Sequence, residues 1–375
     1  MKETRPKTTE QPQEMTYAEY LVQKIEKRKL ARVANKQQTT SIEQKAVEVP
    51  QGPLLKEDIE GYTEGLNGVV FNDFIQSSKT LKKVNRTNEY RTTSGHITIA
   101  KTPEIDTGEL EILGVTVPEK QCLFVLVELF KRKGKQKEFS FVLDEYMKIR
   151  QLKDKKETKK QIKILLNSLA SYTIYFDDET NGDYTTAGAK HVLEWEYDEK
   201  SRNGYVIEYG GAFYKALLTS QKTLYPDSLL TMNTSQKPLA FELLALLSIH
   251  KRRNVDTNEF YTTLSMGLIF EKCRTLPRLE DVDKKYYKRQ IIEAIHTALI
   301  EYFSDDDIFF LTGDKAKAIP ISKIPNDKDF ISKLLLQVRW SDFPEHVYDS
   351  IKQHRADSRK ASKKQPKRKP RKQPQ

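Results

Sequence analysis

Apolar residues recur at helical spacing in several stretches of this 375-residue chain, and in two places the stretches follow one another in the same order. In the first, residues 122–131 form an apolar run that predicts a helix, with Pro118 and Glu119 at its start and Gly134 at its end. Residues 141–150 predict a short helix. Residues 155–166 begin a lysine-rich helix whose Ile162, Leu165, Leu166 and Leu169 make one apolar stripe, and residues 172–176 predict a strand. In the second place an apolar helix is predicted over 239–250 and a short helix over 260–268. A second lysine-rich helix over 284–292 leads into the stripe Ile291, Ile292, Ile295, Ala298 and Leu299, and a strand follows over 308–311. Pro277 keeps the residue before it out of a helix, and Asp281 or Asp283 can cap the helix that follows.

Between and around these modules the pattern changes. Residues 191–197 and 204–209 alternate at period two and predict a hairpin, with Val192, Glu194 and Glu196 on one face and Leu193, Trp195 and Tyr197 on the other. Residues 66–117 read as short extended segments that add a small sheet to the first module. Residues 219–237, with Pro226, Asp227, Asn233 and Ser235, read as a connection, and helices over 330–338 and 345–353 close the second module. Helix, short helix, lysine-rich helix and strand is the order of a winged helix-turn-helix, in which the third helix enters the DNA major groove. The expected fold class is therefore α+β: two winged helix-turn-helix domains with disordered N- and C-terminal tails. The expected division is a flexible arm over 1–60 with one amphipathic helix near 17–35, a first domain over 61–218, a linker over 219–237, a second domain over 238–354 and a basic tail over 355–375.

Charge sharpens this picture. The formal net charge is +11, but residues 352–375 hold eleven Lys/Arg and one Asp, which is +10, so the body is close to neutral and must bind anions through local patches. Lys155, Lys156, Lys159, Lys160 and Lys163 crowd the start of the first lysine-rich helix. A helix N-terminus favours acidic groups, so lysines there oppose helix stability; phosphate contact supplies a reason for them, and a solvated face is the alternative. Lys284, Lys285, Lys288 and Arg289 play the same part in the second helix, interleaved with Tyr286 and Tyr287. One tyrosine belongs to the core, and Tyr287 is assigned with the basic residues to DNA. Lys251, Arg252 and Arg253 end the second apolar helix, where they either cap it or face the DNA backbone. In the tail, Lys367, Arg368, Lys369, Arg371 and Lys372 are expected to touch phosphates without reading bases.

The chain lacks the signatures of several enzyme classes. It has no G-x-x-x-x-G-K-[ST] loop, no His-x-His pair and no Cys/His spacing suited to zinc. His250 and Arg253 match H-x-x-R with Tyr287 downstream, but the matching upstream arginine box is missing. No catalytic residue, metal or cofactor is expected, and Asp305–Asp307 read as a polar turn. No run of about 18 apolar residues predicts a membrane span, and no secretory leader is evident, so a cytoplasmic protein is expected, with Cys122 and Cys273 as reduced core residues.

The tandem pattern over residues 66–350 resembles the plasmid replication initiator (Rep) proteins of theta-replicating plasmids. The resemblance rests on Lys153-Asp-Lys-Lys-Glu-Thr-Lys-Lys-Gln-Ile-Lys-Ile-Leu-Leu-Asn-Ser-Leu169 with Tyr172-Thr-Ile-Tyr175, and on Leu276-Pro-Arg-Leu-Glu-Asp-Val282 with Tyr287-Lys-Arg-Gln-Ile-Ile292. It implies binding of double-stranded DNA at origin repeats, opening of an AT-rich region, recruitment of a host helicase or helicase loader, and self-association as a homodimer. The same pattern also suits a winged-helix transcriptional or partition regulator without initiation activity. A third class, a nicking or recombining enzyme, would be revealed by strand cleavage through a covalent tyrosine.

Overall fold

The computed structural model describes residues 62–343, apart from 68–72, 78–79, 85–86, 95–96, 104–108, 177–189, 199–203, 220, 254–258, 313–316 and 342. The arm with its helix near 17–35, the helix over 345–353 and the basic tail lie outside the described residues. The described chain is α+β, with antiparallel sheets.

The first half begins with the short strands β1 (Tyr62–Asn67), β2 (Leu81–Lys83), β3 (Tyr90–Ser94), β4 (Ile97–Lys101) and β5 (Glu111–Ile112). The central helix α1 (Val117–Arg132) follows, with proline in its first turn and the Glu119 carboxylate accepting from the Thr116 backbone N–H at 2.7 Å. Gly134, at φ 77°, turns the chain out of it. Next come β6 (Glu138–Val142), α2 (Leu143–Arg150) and α3 (Lys155–Ala170). The turn between the two helices has Gln151 in the left-handed region and Asp154 as N-cap, accepting from the Glu157 N–H at 2.9 Å. Strands β7 (Tyr172–Phe176), β8 (Lys190–His191), β9 (Leu193–Asp198) and β10 (Gly204–Tyr209) complete the half.

The predicted hairpin is present over 193–198 and 204–209, but His191 pairs with Thr173 of β7 instead and Val192 is buried with Leu193; β10 also pairs with β6, giving the sheet order β6-β10-β9. Phe130 of α1 packs edge-on to Tyr209 at 5.5 Å, and Phe141 stacks on Tyr205 at 5.3 Å. Each such ring contributes roughly 1.5–3 kcal/mol by burial. Strand β7 does not belong to this hairpin. It pairs with β4 from Ile97↔Phe176 to Lys101↔Tyr172 and so joins the upstream strands in a six-stranded sheet, β5-β2-β3-β4-β7-β8. The crossing back from β8 is tight: a Cβ on Gly210 would lie 1.8 Å from the His191 carbonyl oxygen.

After α4 (Gly211–Thr219), β11 (Gln221–Pro226) and α5 (Ser228–Thr231), the second half repeats part of the scheme. It runs α6 (Pro238–Ile249), β12 (Arg252–Arg253), β13 (Phe260–Ser265), α7 (Met266–Lys272), a helix α8 over 284–299, β14 (Ile308–Thr312), β15 (Ala318–Ile319), α9 (Lys328–Ser332) and β16 (Leu334–Arg339). Its sheet order is β12-β13-β16-β14-β15. Within it, β13-β16-β14 repeats β6-β10-β9: first strand, third strand, second strand. Two sequence expectations change. Residues 260–265 are a strand and only 266–272 are helical, and residues 334–339 are a strand, with helix confined to 328–332.

The segment read as a connection is folded. Strand β11 pairs with β1 from Tyr62↔Pro226 to Asn67↔Gln221, and Leu224, Tyr225, Leu229, Leu230 and Met232 are buried. Gln121 of α1 holds it, its Nε2 donating to the carbonyls of Leu229 at 2.9 Å and Met232 at 2.8 Å while its Oε1 accepts from Thr234 Oγ1 at 3.1 Å. The first helices of the two halves, α1 and α6, also meet. Phe124 lies 4.9 Å from the Tyr225 ring and 6.0 Å from that of Phe241. Beside them, Lys120 Nζ lies 3.4 Å from Glu242 Oε1, with the two side chains 3% and 2% exposed. Glu242 also accepts from the Thr275 N–H at 3.0 Å and hydroxyl at 2.8 Å. Burial lowers the Lys120 pKa, and the charge of Glu242 works against that shift.

Candidate nucleic-acid interface

Helix α3 buries Thr158, Ile162, Leu166 and Leu169 and turns its basic side outward. Lys156 and Lys160 are exposed. Lys155 forms an ion pair with Asp144 of α2 at 2.8 Å, which offsets its charge. Lys159 and Lys163 lean against the hairpin, their Nζ atoms 4.9 and 4.2 Å from the centre of the Tyr197 ring. Such contacts are worth about 0.5–1 kcal/mol at exposed sites, enough to orient the lysines without neutralising them. Two residues away on β9, Trp195 donates its indole N–H to Asn167 Oδ1 at 3.1 Å. An indole nitrogen only donates, so this bond fixes the Asn167 amide with its NH₂ group as the remaining donor. Glu194 and Glu196 take the other face of β9. The outermost face of α3, opposite the buried stripe, therefore carries Lys160, Ile164 and Asn167 at spacings of four and three. Ile164 is 59% exposed.

Helix α8 is wound three ways: 3-10 over Lys284–Tyr286, π over Lys288–Glu293 and α over Ala294–Leu299. Asp283 caps it, accepting from the Lys285 N–H at 3.2 Å. The segment between β15 and α9 clamps its first turn. Asn326 accepts from the Lys288 N–H at 2.8 Å and donates to the Lys284 carbonyl at 2.5 Å, and Lys288 Nζ donates to the Ser322 carbonyl at 3.0 Å. Lys288, expected at DNA, is thus engaged within the protein. Lys284, Lys285, Tyr286 and Arg289 are exposed.

The assignment of Tyr287 to DNA is reversed. Tyr287 precedes Ile291 by one turn and Ile295 by two, shares their inward face and is 7% exposed, whereas its neighbour Tyr286 is 38% exposed. Lys251 also turns inward. Its Nζ sits 3.8 Å from the centre of the Trp340 ring, 3.9 Å from Phe343 and 5.2 Å from Tyr62, and donates to the Leu224 carbonyl at 3.4 Å. Burial holds its pKa well below the ordinary lysine value. Arg252 is exposed on β12, at the opposite edge of the sheet from β15, and Arg253 pairs there through its backbone with Phe260. The basic cluster at the end of α6 therefore splits between core and surface. Lys367, Arg368, Lys369, Arg371 and Lys372 lie outside the described residues.

Among the described residues no group of three His, Cys, Asp or Glu side chains could hold a metal ion. Cys122 and Cys273 are free and buried, and burial raises both thiol pKa values, that of Cys122 to about 12. Asp307 is buried, accepting from Arg339 Nε at 2.6 Å and Ser341 Oγ at 2.7 Å, so the Asp305–Asp307 turn is structural. No helix among the described residues is long and apolar enough to cross a membrane.

Fold and site together define an α+β protein of two topologically alike halves, each presenting a basic third helix to solvent. No family model matches the chain, and no curated protein matches it. Two solved structures of domains 2 and 3 of RctB, one of them of selenomethionine derivatives, are similar to it at 12% identity, with TM-scores of 0.41 and 0.40. The alignments cover 73% and 71% of this chain and 96% of each of those chains.

Proposed function

We propose that the protein is a sequence-specific, non-enzymatic initiator of DNA replication, built on two winged helices that grip successive segments of duplex DNA at repeats of a plasmid origin. One observation carries this reading. With β7 and β8 of the first half and β12, β15 and α9 of the second set aside, each half runs helix, strand, helix, helix, strand, strand, its three strands lie side by side in the order first, third, second, and its third helix puts basic side chains on the outside. In that architecture the third helix enters the major groove and the hairpin flanks it. Lys156, Lys160 and the Tyr197-supported pair Lys159 and Lys163 act from the first half; Lys284, Lys285, Tyr286 and Arg289 act from the second. Lysines and arginines supply phosphate contacts and position the helices; base edges and methyl groups supply the sequence preference. The host helicase or its loader is the downstream partner in this reading.

The test uses the full-length protein. Selection from a random duplex pool should return a preferred sequence that occurs as repeats in the cognate replicon. A plasmid carrying those repeats as its sole replicator, with the protein supplied in trans, should then be maintained in a bacterial host. Specific binding without maintenance would make the protein a regulator. Nicking of supercoiled repeat DNA in Mg²⁺ would make it an enzyme. Failure to select any sequence would overturn sequence-specific binding altogether.

A further inference from the structure

Six large apolar side chains are exposed among the described residues, and two of them, Ile164 and Tyr286, sit on the two basic third helices. Ile164 is the more exposed of the pair and has no structural reason to be apolar. It lies on the face of α3 opposite Ile162, Leu166 and Leu169, between Lys160 one turn before it and Asn167 one turn after it. An isoleucine costs apolar hydration there, and it lowers helix propensity slightly relative to lysine or glutamine. Its surroundings are suited to one kind of partner. The flanking lysines suit phosphates on either side of a groove, the Asn167 NH₂ group is held outward by Trp195, and the Tyr197 and Trp195 rings wall one flank. A protein partner would be expected to find a wider apolar patch around such a residue, whereas the exposed neighbours of Ile164 are polar.

We propose that Ile164 is a specificity residue of the first half and packs against the 5-methyl group of a thymine, with the Asn167 amide donating to an acceptor on an adjacent base edge. The inference rests on the DNA-binding reading above and assigns base readout to two residues within it. The thymine methyl is the apolar feature of the major groove, and methyl contacts are how an apolar side chain reads sequence there.

The experiment replaces each thymine of the selected duplex by deoxyuridine, which deletes only the 5-methyl group, and titrates each duplex with the full-length wild type, Ile164→Ala and Ile164→Ser. Burying one methyl-sized group is worth about fourfold in affinity. The wild type should lose about that factor at one or two thymine positions and nowhere else. Ile164→Ala should bind the all-thymine duplex correspondingly more weakly and be indifferent to uracil at those positions. Ile164→Ser should behave in the same way, and both variants should keep the wild-type melting curve because the side chain is outside the core. A uracil scan with the same losses in wild type and variants, or unchanged affinity of Ile164→Ala, overturns this inference and leaves DNA binding standing. Failure to select any preferred sequence overturns both.

Discussion

Tyr286 and Tyr287 are chemically equal and adjacent, yet one step of helix sends the first to solvent and the second into the core beside Ile291 and Ile292. The sequence pattern established that one of them belongs inside. Which one depends on the phase of a helix whose winding passes from 3-10 to π to α, so an ideal 3.6-residue wheel cannot place it. Tyr287→Ala should cost about 3–5 kcal/mol in urea denaturation, as for other buried rings. Tyr286→Ala should change stability by no more than about 0.5 kcal/mol and weaken DNA binding instead; the reverse pattern would invert the assignment. Lys251 was equally illegible, because its partners Tyr62, Trp340 and Phe343 come from both ends of the described chain. Stacking on rings is worth about 2 kcal/mol or more for a desolvated cation, while withdrawing an ammonium from water costs several. Lys251→Met should accordingly be neutral or stabilising at pH 7. The sign of the pH effect follows from linkage. The folded pKa is depressed, so between it and the unfolded value near 10.5 the unfolded chain holds a proton that the folded chain has released, and stability rises with pH. Denaturation curves from pH 7 to 9.5 should show that rise reduced in Lys251→Met; parallel pH profiles would refute it.

At the scale of elements, the helices were the legible part. The stripes of α1, α3 and α6, the proline at the start of α1 and the period-two hairpin β9–β10 all follow from local pattern. What failed was local pattern interrupted by a partner from elsewhere. Residues 260–265 alternate in burial, but Thr262 holds a buried place because its hydroxyl donates to the Leu247 carbonyl at 2.9 Å and accepts from the Trp340 indole at 2.9 Å. With a threonine there, the apolar positions Phe260, Leu264 and Leu268 imitate a helix. Likewise Leu334-Leu-Leu336 is a continuous apolar run that a helix and a two-sided strand share, and β7 could reveal its pairing with β4 only through a partner some seventy residues away in sequence. These distinctions matter for the basic residues of α8, since the segment around Ser322 and Asn326 engages Lys288 and leaves Lys285 and Arg289 exposed. Lys285→Ala with Arg289→Ala should make the dependence of log K on log salt shallower by about 0.9 for each phosphate no longer neutralised, and so should Lys156→Ala with Lys160→Ala. Lys288→Ala should leave the salt slope unchanged and lower stability by about 1 kcal/mol, the worth of its hydrogen bond. Equal slopes for all variants would remove these helices from the DNA.

At the scale of the molecule, charge and packing divide the work differently from what two domains on a linker would suggest. Nearly all the net charge lies after residue 351, so deletion of residues 355–375 should weaken binding to specific and random duplexes by a similar factor and flatten the salt dependence, while sequence preference survives. An unchanged salt slope would mean that this segment does not touch DNA. The described residues fall within one compact unit, and the halves are joined across α1 and α6 by Phe124, Tyr225 and Phe241 and by the buried Lys120–Glu242 pair. Removing one member of such a pair strands the other, at about 3–5 kcal/mol. Lys120→Met should lower the stability of both halves together, not that of the first half alone. The chain offers a direct reporter, since of its two tryptophans Trp195 lies in the first half and Trp340 in the second. Fluorescence of Trp195→Phe and Trp340→Phe variants should report the unfolding of the second and the first half in turn, and adding Lys120→Met should shift the urea midpoint of each parent by a similar amount. A shift confined to the variant that keeps Trp195 would show that the two halves unfold independently, so that any coordination of DNA binding between them would have to come through the DNA.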